Sequence, residues 1–105
     1  MLYLNNGNWH GEQILPENWL AETITPATSD TRKHYGYQFW LNGLDKTDLS
    51  KKWYADVPSD MFFCDGYGGQ GVYIIPSKKL VIVRMGLHVI EENKFLKEVI
   101  AATNR

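Results

Sequence analysis

Apolar positions recur with two different periods along this chain. Near the C-terminus, Phe95, Leu96, Val99 and Ile100 follow one another at spacings of three and four, which predicts a helix over 91–102 with one apolar stripe. Upstream lie three short apolar runs, at 61–64, 70–75 and 80–85, the last rich in valine and isoleucine. Pro76-Ser77-Lys78-Lys79 separates two of them as a turn, and connections this short predict an antiparallel meander. Residues 35–42 alternate, with Tyr35, Tyr37, Phe39 and Leu41 on one side and Gly36, Gln38, Trp40 and Asn42 on the other, which predicts a further strand. At the N-terminus, Leu2, Tyr3 and Leu4 close to Gly7 read as a last helical turn running into a glycine stop. A turn so short does not nucleate alone, so it is expected to end a longer element. Residues 8–15 read as a polar connection with turns at Gly7 and Gly11. Pro16 suits a first helical position and Glu17 the positive end of the helix dipole, predicting a short helix over 16–23 that Thr25-Pro26 ends. The expected class is therefore α+β. One unit over 1–105 holds an antiparallel sheet of three to four strands, a C-terminal helix packed on one face, and short N-terminal helices.

Between these elements, residues 43–60 form a long polar, lysine-rich stretch with Trp53 and Tyr54 as its strongly apolar members. Loops of this length are uncommon unless they serve a function. A chain of 105 residues folds to a surface of roughly 6,000 Å² from roughly 17,500 Å² unfolded, enough for one modest core. Eleven basic residues against twelve acidic ones leave no excess positive charge for a phosphate backbone, so no nucleic-acid partner is expected. No apolar run approaches the length of a membrane span, and the first residues lack the pattern of a signal peptide. The chain as written is expected to be cytoplasmic and not membrane-bound. Its one cysteine, Cys64, excludes an intrachain disulfide and a multi-cysteine zinc site. His10, His34 and His88 share no ligand spacing, so neither a metal nor a cofactor is expected.

The densest signal is Gly66-Tyr67-Gly68-Gly69-Gln70-Gly71. A dinucleotide-binding loop needs a helix after it, and here the strand Val72-Tyr73-Ile74-Ile75 follows, so the phosphate reading fails on context. Two readings remain: a kinked strand or hairpin that needs glycine backbone angles, and a strand edge along which a substrate backbone approaches closely. Cys64, with His34 or His88 as base, has the groups of a thiol nucleophile but no local signature, and an isolated cysteine in an apolar run reads as a small core residue. The four tryptophans and six tyrosines suit a ring-binding surface or, more simply, the core. Lys51-Lys52 and Lys78-Lys79 read as solvated loop and turn charges.

The 61–84 run, with Gly66-Tyr67-Gly68-Gly69-Gln70 followed by an apolar strand, a proline turn and another apolar strand, resembles the C-terminal part of serine β-lactamase-like hydrolases. These form the class C β-lactamase and penicillin-binding-protein superfamily. Leu2 to Trp9, Ile14-Leu15-Pro16-Glu17-Asn18-Trp19 and Tyr35-Gly36-Tyr37-Gln38-Phe39-Trp40-Leu41 resemble that family's preceding stretches, in the same order. The resemblance implies an acyl-transfer fold in which a serine acylates and a lysine three residues later takes its proton. No such pair occurs here: Ser29 is followed at the third place by Arg32, Ser50 by Trp53, Ser59 by Phe62 and Ser77 by Leu80. A family motif of the Lys-Thr-Gly kind would fall near Cys64-Asp65-Gly66, where neither Lys nor Thr is present. The resemblance further implies that Gly66, Tyr67, Gly68, Gly69 and Gln70 border the substrate, with the N–H of Tyr67 or Gly68 nearest to an oxyanion-hole position.

The expected function is thus a C-terminal portion of a serine hydrolase acting on amide or ester bonds, inactive alone for want of a nucleophile. Its expected partner is a complementing N-terminal hydrolase segment or a second copy of itself. The alternative is a small non-catalytic domain that binds peptide or carbohydrate, favoured if aromatics near Tyr67 and Trp40 are exposed.

Overall fold

Strand alternation in this chain serves two cores. The computed structural model describes residues 2–29, 31, 33–44, 48 and 50–104. Strands β3 (Trp40–Leu41), β4 (Phe62–Asp65), β5 (Gly71–Ile75) and β6 (Leu80–Arg84) form one antiparallel sheet in the order β3-β4-β5-β6. The register sets Phe63 opposite Tyr73 and Tyr73 opposite Ile82, while the next row sets Phe62 opposite Ile74 and Ile74 opposite Val81. Adjacent rows point to opposite faces. On one face Phe63, Tyr73, Ile75 and Ile82 pack with Tyr54, Val57, Met61, Leu96 and Ile100. On the other, Leu41, Phe62 and Ile74 lie against Tyr3, Leu4, Leu20, Ile24 and Phe39. Burial on both faces explains why Tyr73, Ile74 and Ile75 are all buried in succession. Each fully buried apolar side chain of this kind, Phe62 or Ile75, contributes about 1.5–3 kcal/mol.

The α+β class is as expected, with the C-terminal helix α2 (Glu92–Thr103) supplying Leu96 and Ile100 to the first core. Phe95 and Val99 of the same stripe flank that core and are only partly buried. Glu91 caps the helix by accepting from the Lys94 backbone N–H at 2.9 Å. In the first turn, one carboxylate oxygen of Glu92 accepts from both the Tyr54 hydroxyl at 2.8 Å and the Tyr73 hydroxyl at 2.9 Å. That shared oxygen ties helix, sheet and the loop before β4 together.

The loop is ordered around one amide. Asn42, 5% exposed, has its side-chain nitrogen 3.1 Å from the Tyr54 carbonyl and 3.2 Å from those of Val57 and Pro58. Its side-chain oxygen accepts from the Tyr54 backbone N–H at 2.8 Å. The amide thus gives the Tyr54 N–H its partner and adds to the bonds that those carbonyls accept from Val57 N–H, the Lys52 ammonium and Met61 N–H as Tyr54 and Val57 enter the core. Of the 43–60 loop, residues 45–47 and 49 lie outside the described residues.

Four local expectations are corrected. The strand expected over 35–42 is confined to Trp40–Leu41. Gln38 has φ 63°, Gly36 N–H donates to the Phe39 carbonyl, and Tyr35 bridges Trp40, so the chain turns back on itself here. A Cβ on Gly36 would collide with the Thr23 carbonyl, so close docking on the end of a helix overrides the alternation. That helix, α1 (Trp19–Thr23), starts later than Pro16, because Pro16 to Asn18 form an entry turn closed by Trp19 N–H on the Pro16 carbonyl. The expected polar connection over 8–15 contains a small hairpin, β1 (Asn8–Trp9) with β2 (Glu12–Gln13), turning through His10 and Gly11 at φ 50° and 86°. Lastly, Cys64 is exposed, not a core residue: it lies in register with Val72 and Val83, beyond the N-terminal cover. The expected glycine stop at Gly7 does form, after a 3₁₀ turn over Leu2–Asn5, with φ 84°.

Two measurements check this architecture. Asn42→Ala takes the partner from the buried Tyr54 N–H and one bond from each of three carbonyls that keep another, and is expected to lower stability by about 1–3 kcal/mol, seen as a lower urea midpoint. Burial first, and then the hydrogen bond and charge of Glu92, push the Tyr54 and Tyr73 phenols well above their ordinary 10.0. Their stabilising effect is complete below that ordinary value. As pH rises past it, unfolded chains release phenolic protons that the folded chain retains, and stability falls. Urea midpoints are therefore expected to drop between about pH 9 and about pH 11, and to drop less in a Tyr54→Phe, Tyr73→Phe double variant.

Candidate functional site

The five singled-out residues form the connection between β4 and β5. Gly66 is still extended, and Tyr67–Gly69 make one tight 3₁₀ turn. Gly68 at φ 70° and Gly69 at φ 89° lie in the left-handed region that favours glycine. The turn is closed by Gly66 N–H donating to the Gln70 carbonyl at 2.7 Å and by the Gln70 side-chain amide donating to the Tyr67 carbonyl at 3.2 Å. The other end of that amide accepts from Gly86 N–H at 3.3 Å, tying the turn to the chain beyond β6. Arg84 adds a second tie, donating to the carbonyls of Gly69 and His88. The hairpin reading of the glycine cluster is thus the observed one, and all five residues come together at one end of the sheet.

Around this turn the two sheet faces differ. Cys64, Asp65, Gly66, Gln70, Gly71, Val72 and Met85 enclose an open hollow of about 220 Å³. This is smaller than a typical small-molecule pocket, so it suits one group of a ligand and not a whole one. Near the start of α2, Trp53, Tyr54, Asp65 and 90–93 line a wider groove of about 490 Å³. Asp65 borders both. Burial first, and then the nearby Glu92, raise the Asp65 carboxyl above its ordinary value. Burial likewise raises the Cys64 thiol, which disfavours the thiolate that a nucleophile needs. Cys64 therefore stands in the hollow as a weakly acidic thiol, without the activation of a catalytic one.

The aromatic candidates separate. Tyr67 is 85% exposed at the tip of the turn. Trp40 is instead half-buried, edge-on to Trp53 at 5.8 Å and to Tyr35 at 4.8 Å. The sequence pointed to the turn with Asp65 directly before it, but missed Arg84 and Met85 as its neighbours. The signal for Arg84 was strand register, since Asp65, Gly71 and Arg84 stand side by side across β4, β5 and β6. Among the described residues, no cluster of histidine, cysteine or carboxylate side chains has the arrangement of a metal site.

The turn's rigidity is testable at Gly69. A Cβ there would lie 2.8 Å from the Arg84 guanidinium and 3.0 Å from the His88 carbonyl, on a left-handed backbone. Gly69→Ala is expected to cost at least about 1–2 kcal/mol in the urea midpoint, whereas Tyr67→Phe, which only removes an exposed hydroxyl, leaves it unchanged. The chain matches no family model and no curated protein.

Proposed function

We propose that this chain is one wall of an acyl-transfer site, the C-terminal portion of a β-lactamase-like serine hydrolase, without the nucleophile. One observation carries the reading. Among the described residues, β3 pairs with β4 at Phe62 and Phe63 and no strand pairs with Cys64 and Asp65 on that side, where β4 leads into the glycine turn. An open strand edge offers a peptide-like substrate its backbone N–H and C=O groups. The turn beyond it is held in place before any ligand arrives, which favours donors aimed at a developing oxyanion. The family resemblance implies Tyr67 or Gly68 N–H as that donor, and the commitment of Gly66 N–H to the Gln70 carbonyl is compatible with it. The hollow beside the edge receives one substituent of the acyl group.

Acyl transfer also needs an activated serine, and no serine of this chain has a lysine three residues later. The complementing N-terminal hydrolase segment would supply that pair across the cleft. The isolated chain is expected to give no saturable turnover of nitrocefin or p-nitrophenyl acetate and no acyl adduct by intact mass. A stoichiometric adduct on one of its own serines overturns the reading. Co-expression with a hydrolase segment bearing Ser-x-x-Lys is expected to produce an acyl-enzyme, and Gly69→Val to abolish it.

The exposure of Tyr67 favours a second reading, a non-catalytic domain that holds a peptide or sugar ring against this phenol. Saturable glycan or peptide binding that Tyr67→Ala removes, together with failed complementation, selects it.

A further inference from the structure

Asparagine precedes glycine at two places, Asn6-Gly7 and Asn42-Gly43. Such pairs are chemically labile, because glycine has no side chain to hinder its backbone nitrogen from reaching the amide carbon of the asparagine. The structure gives the two pairs opposite surroundings. Asn6 is exposed, with φ 51°, and among the described residues no hydrogen bond holds its side-chain amide. Gly7 follows at φ 84°, and its N–H donates to the Leu2 carbonyl at 3.0 Å across a 3₁₀ turn of four residues. A turn so short frays readily. Asn42 is buried. Its amide nitrogen meets the carbonyls of Tyr54, Val57 and Pro58, and its amide oxygen accepts from the Tyr54 N–H. Its own backbone N–H donates to the Met61 carbonyl at 3.2 Å, and the Gly43 carbonyl accepts from the Trp53 N–H at 2.7 Å. Amide and backbone are therefore held on both sides of the Asn42–Gly43 bond.

We propose that Asn42–Gly43 is a deamidation site gated by opening of the loop that follows it, whereas Asn6–Gly7 deamidates in the folded chain. The reaction needs only water. The Gly43 nitrogen gives its proton to solvent hydroxide and attacks Cγ of Asn42. The N–Cγ bond forms, the Cγ–Nδ2 bond breaks, and Nδ2 takes a proton from solvent and leaves as ammonia. Water then opens the five-membered succinimide at either carbonyl, which gives aspartate or isoaspartate. In the folded chain Cγ turns towards the Gly43 nitrogen only if the amide gives up its four hydrogen bonds. The loop opens first, so the rate follows the population of opened chains. The product then opposes closure. A carboxylate at 42 has no N–H for the three carbonyls, sets its own negative oxygens against them, and brings a charge to a buried position. Isoaspartate further adds a methylene to the backbone between β3 and the loop. Modification at Asn42 is thus an irreversible record of unfolding. At Asn6 the same product stays in water, where its charge costs the fold little. The inference holds whether or not the chain serves acyl transfer.

Peptide mapping by mass spectrometry tests the proposal, with the full chain held at mildly alkaline pH in oxygen-labelled water to mark each hydrolysed succinimide. In native buffer Asn42 is expected to deamidate at least about a hundredfold more slowly than in denaturing urea, and Asn6 to slow by less than about tenfold. Urea below the unfolding transition is expected to speed Asn42 in step with the falling stability and to leave Asn6 nearly constant. Val57→Ala loosens the loop while both asparagine-glycine pairs stay intact, and is expected to speed Asn42 about tenfold with no change at Asn6. After dilution from urea, chains modified at Asn42 are expected in the protease-sensitive fraction and those modified only at Asn6 in the resistant one. Slowing at Asn42 by less than about a hundredfold overturns the proposal, as does slowing at Asn6 by more than about tenfold. So does an Asn42 rate that ignores both low urea and Val57→Ala, because loop opening then does not gate the reaction.

Discussion

One buried amide holds the architecture together. Asn42 leaves the end of β3 and takes up the backbone groups of Tyr54, Val57 and Pro58. Without those bonds, the Tyr54 N–H would enter an apolar core without its partner, the carbonyls would keep one donor each, and burial of Tyr54 would be opposed by desolvation. With them, the loop supplies two core residues and places the Tyr54 hydroxyl on Glu92. Glu92 in turn fixes the first turn of α2, whose Leu96 and Ile100 close the same core. A short chain of polar contacts thus decides how the helix lies on the sheet, and the apolar contacts then stabilise that placement.

The end of the sheet where function is proposed is built differently. There the hydrophobic cover stops, and order comes from hydrogen bonds within the β4–β5 turn and from the ties of Gln70 and Arg84 to the chain after β6. Such a turn holds backbone donors in fixed directions while its surroundings stay open. The same discontinuity of cover explains two further features. Cys64 is exposed although it sits in an apolar run, and Val83 and Met85 are bare although they extend a buried pattern. A partially covered sheet leaves polar and apolar side chains in contact with solvent beside the glycine turn.

The sequence by itself determined the elements whose signal is local and repeated. The i, i+3, i+4 stripe of α2, the valine-rich run of β6, the proline turn and the glycine turn all stand where their periods and turn residues put them. The α+β class and the gathering of Gly66 to Gln70 at one place follow, because neighbours on a five-residue turn cannot be far apart. Tertiary structure decided what depends on distant partners. The alternation of Tyr35 to Asn42 satisfied a strand pattern, yet most of it folds into a turn because Gly36 docks on Thr23. Asn42 looked like one polar residue of a strand and is a buried hub, since only the returning loop brings the carbonyls that its amide meets. Cys64 had the sequence surroundings of a core residue, and its exposure depends on where a segment some sixty residues earlier stops covering the sheet. Periodicity reports which side of an element is apolar. Whether anything lies against that side depends on long-range packing, which no local pattern encodes.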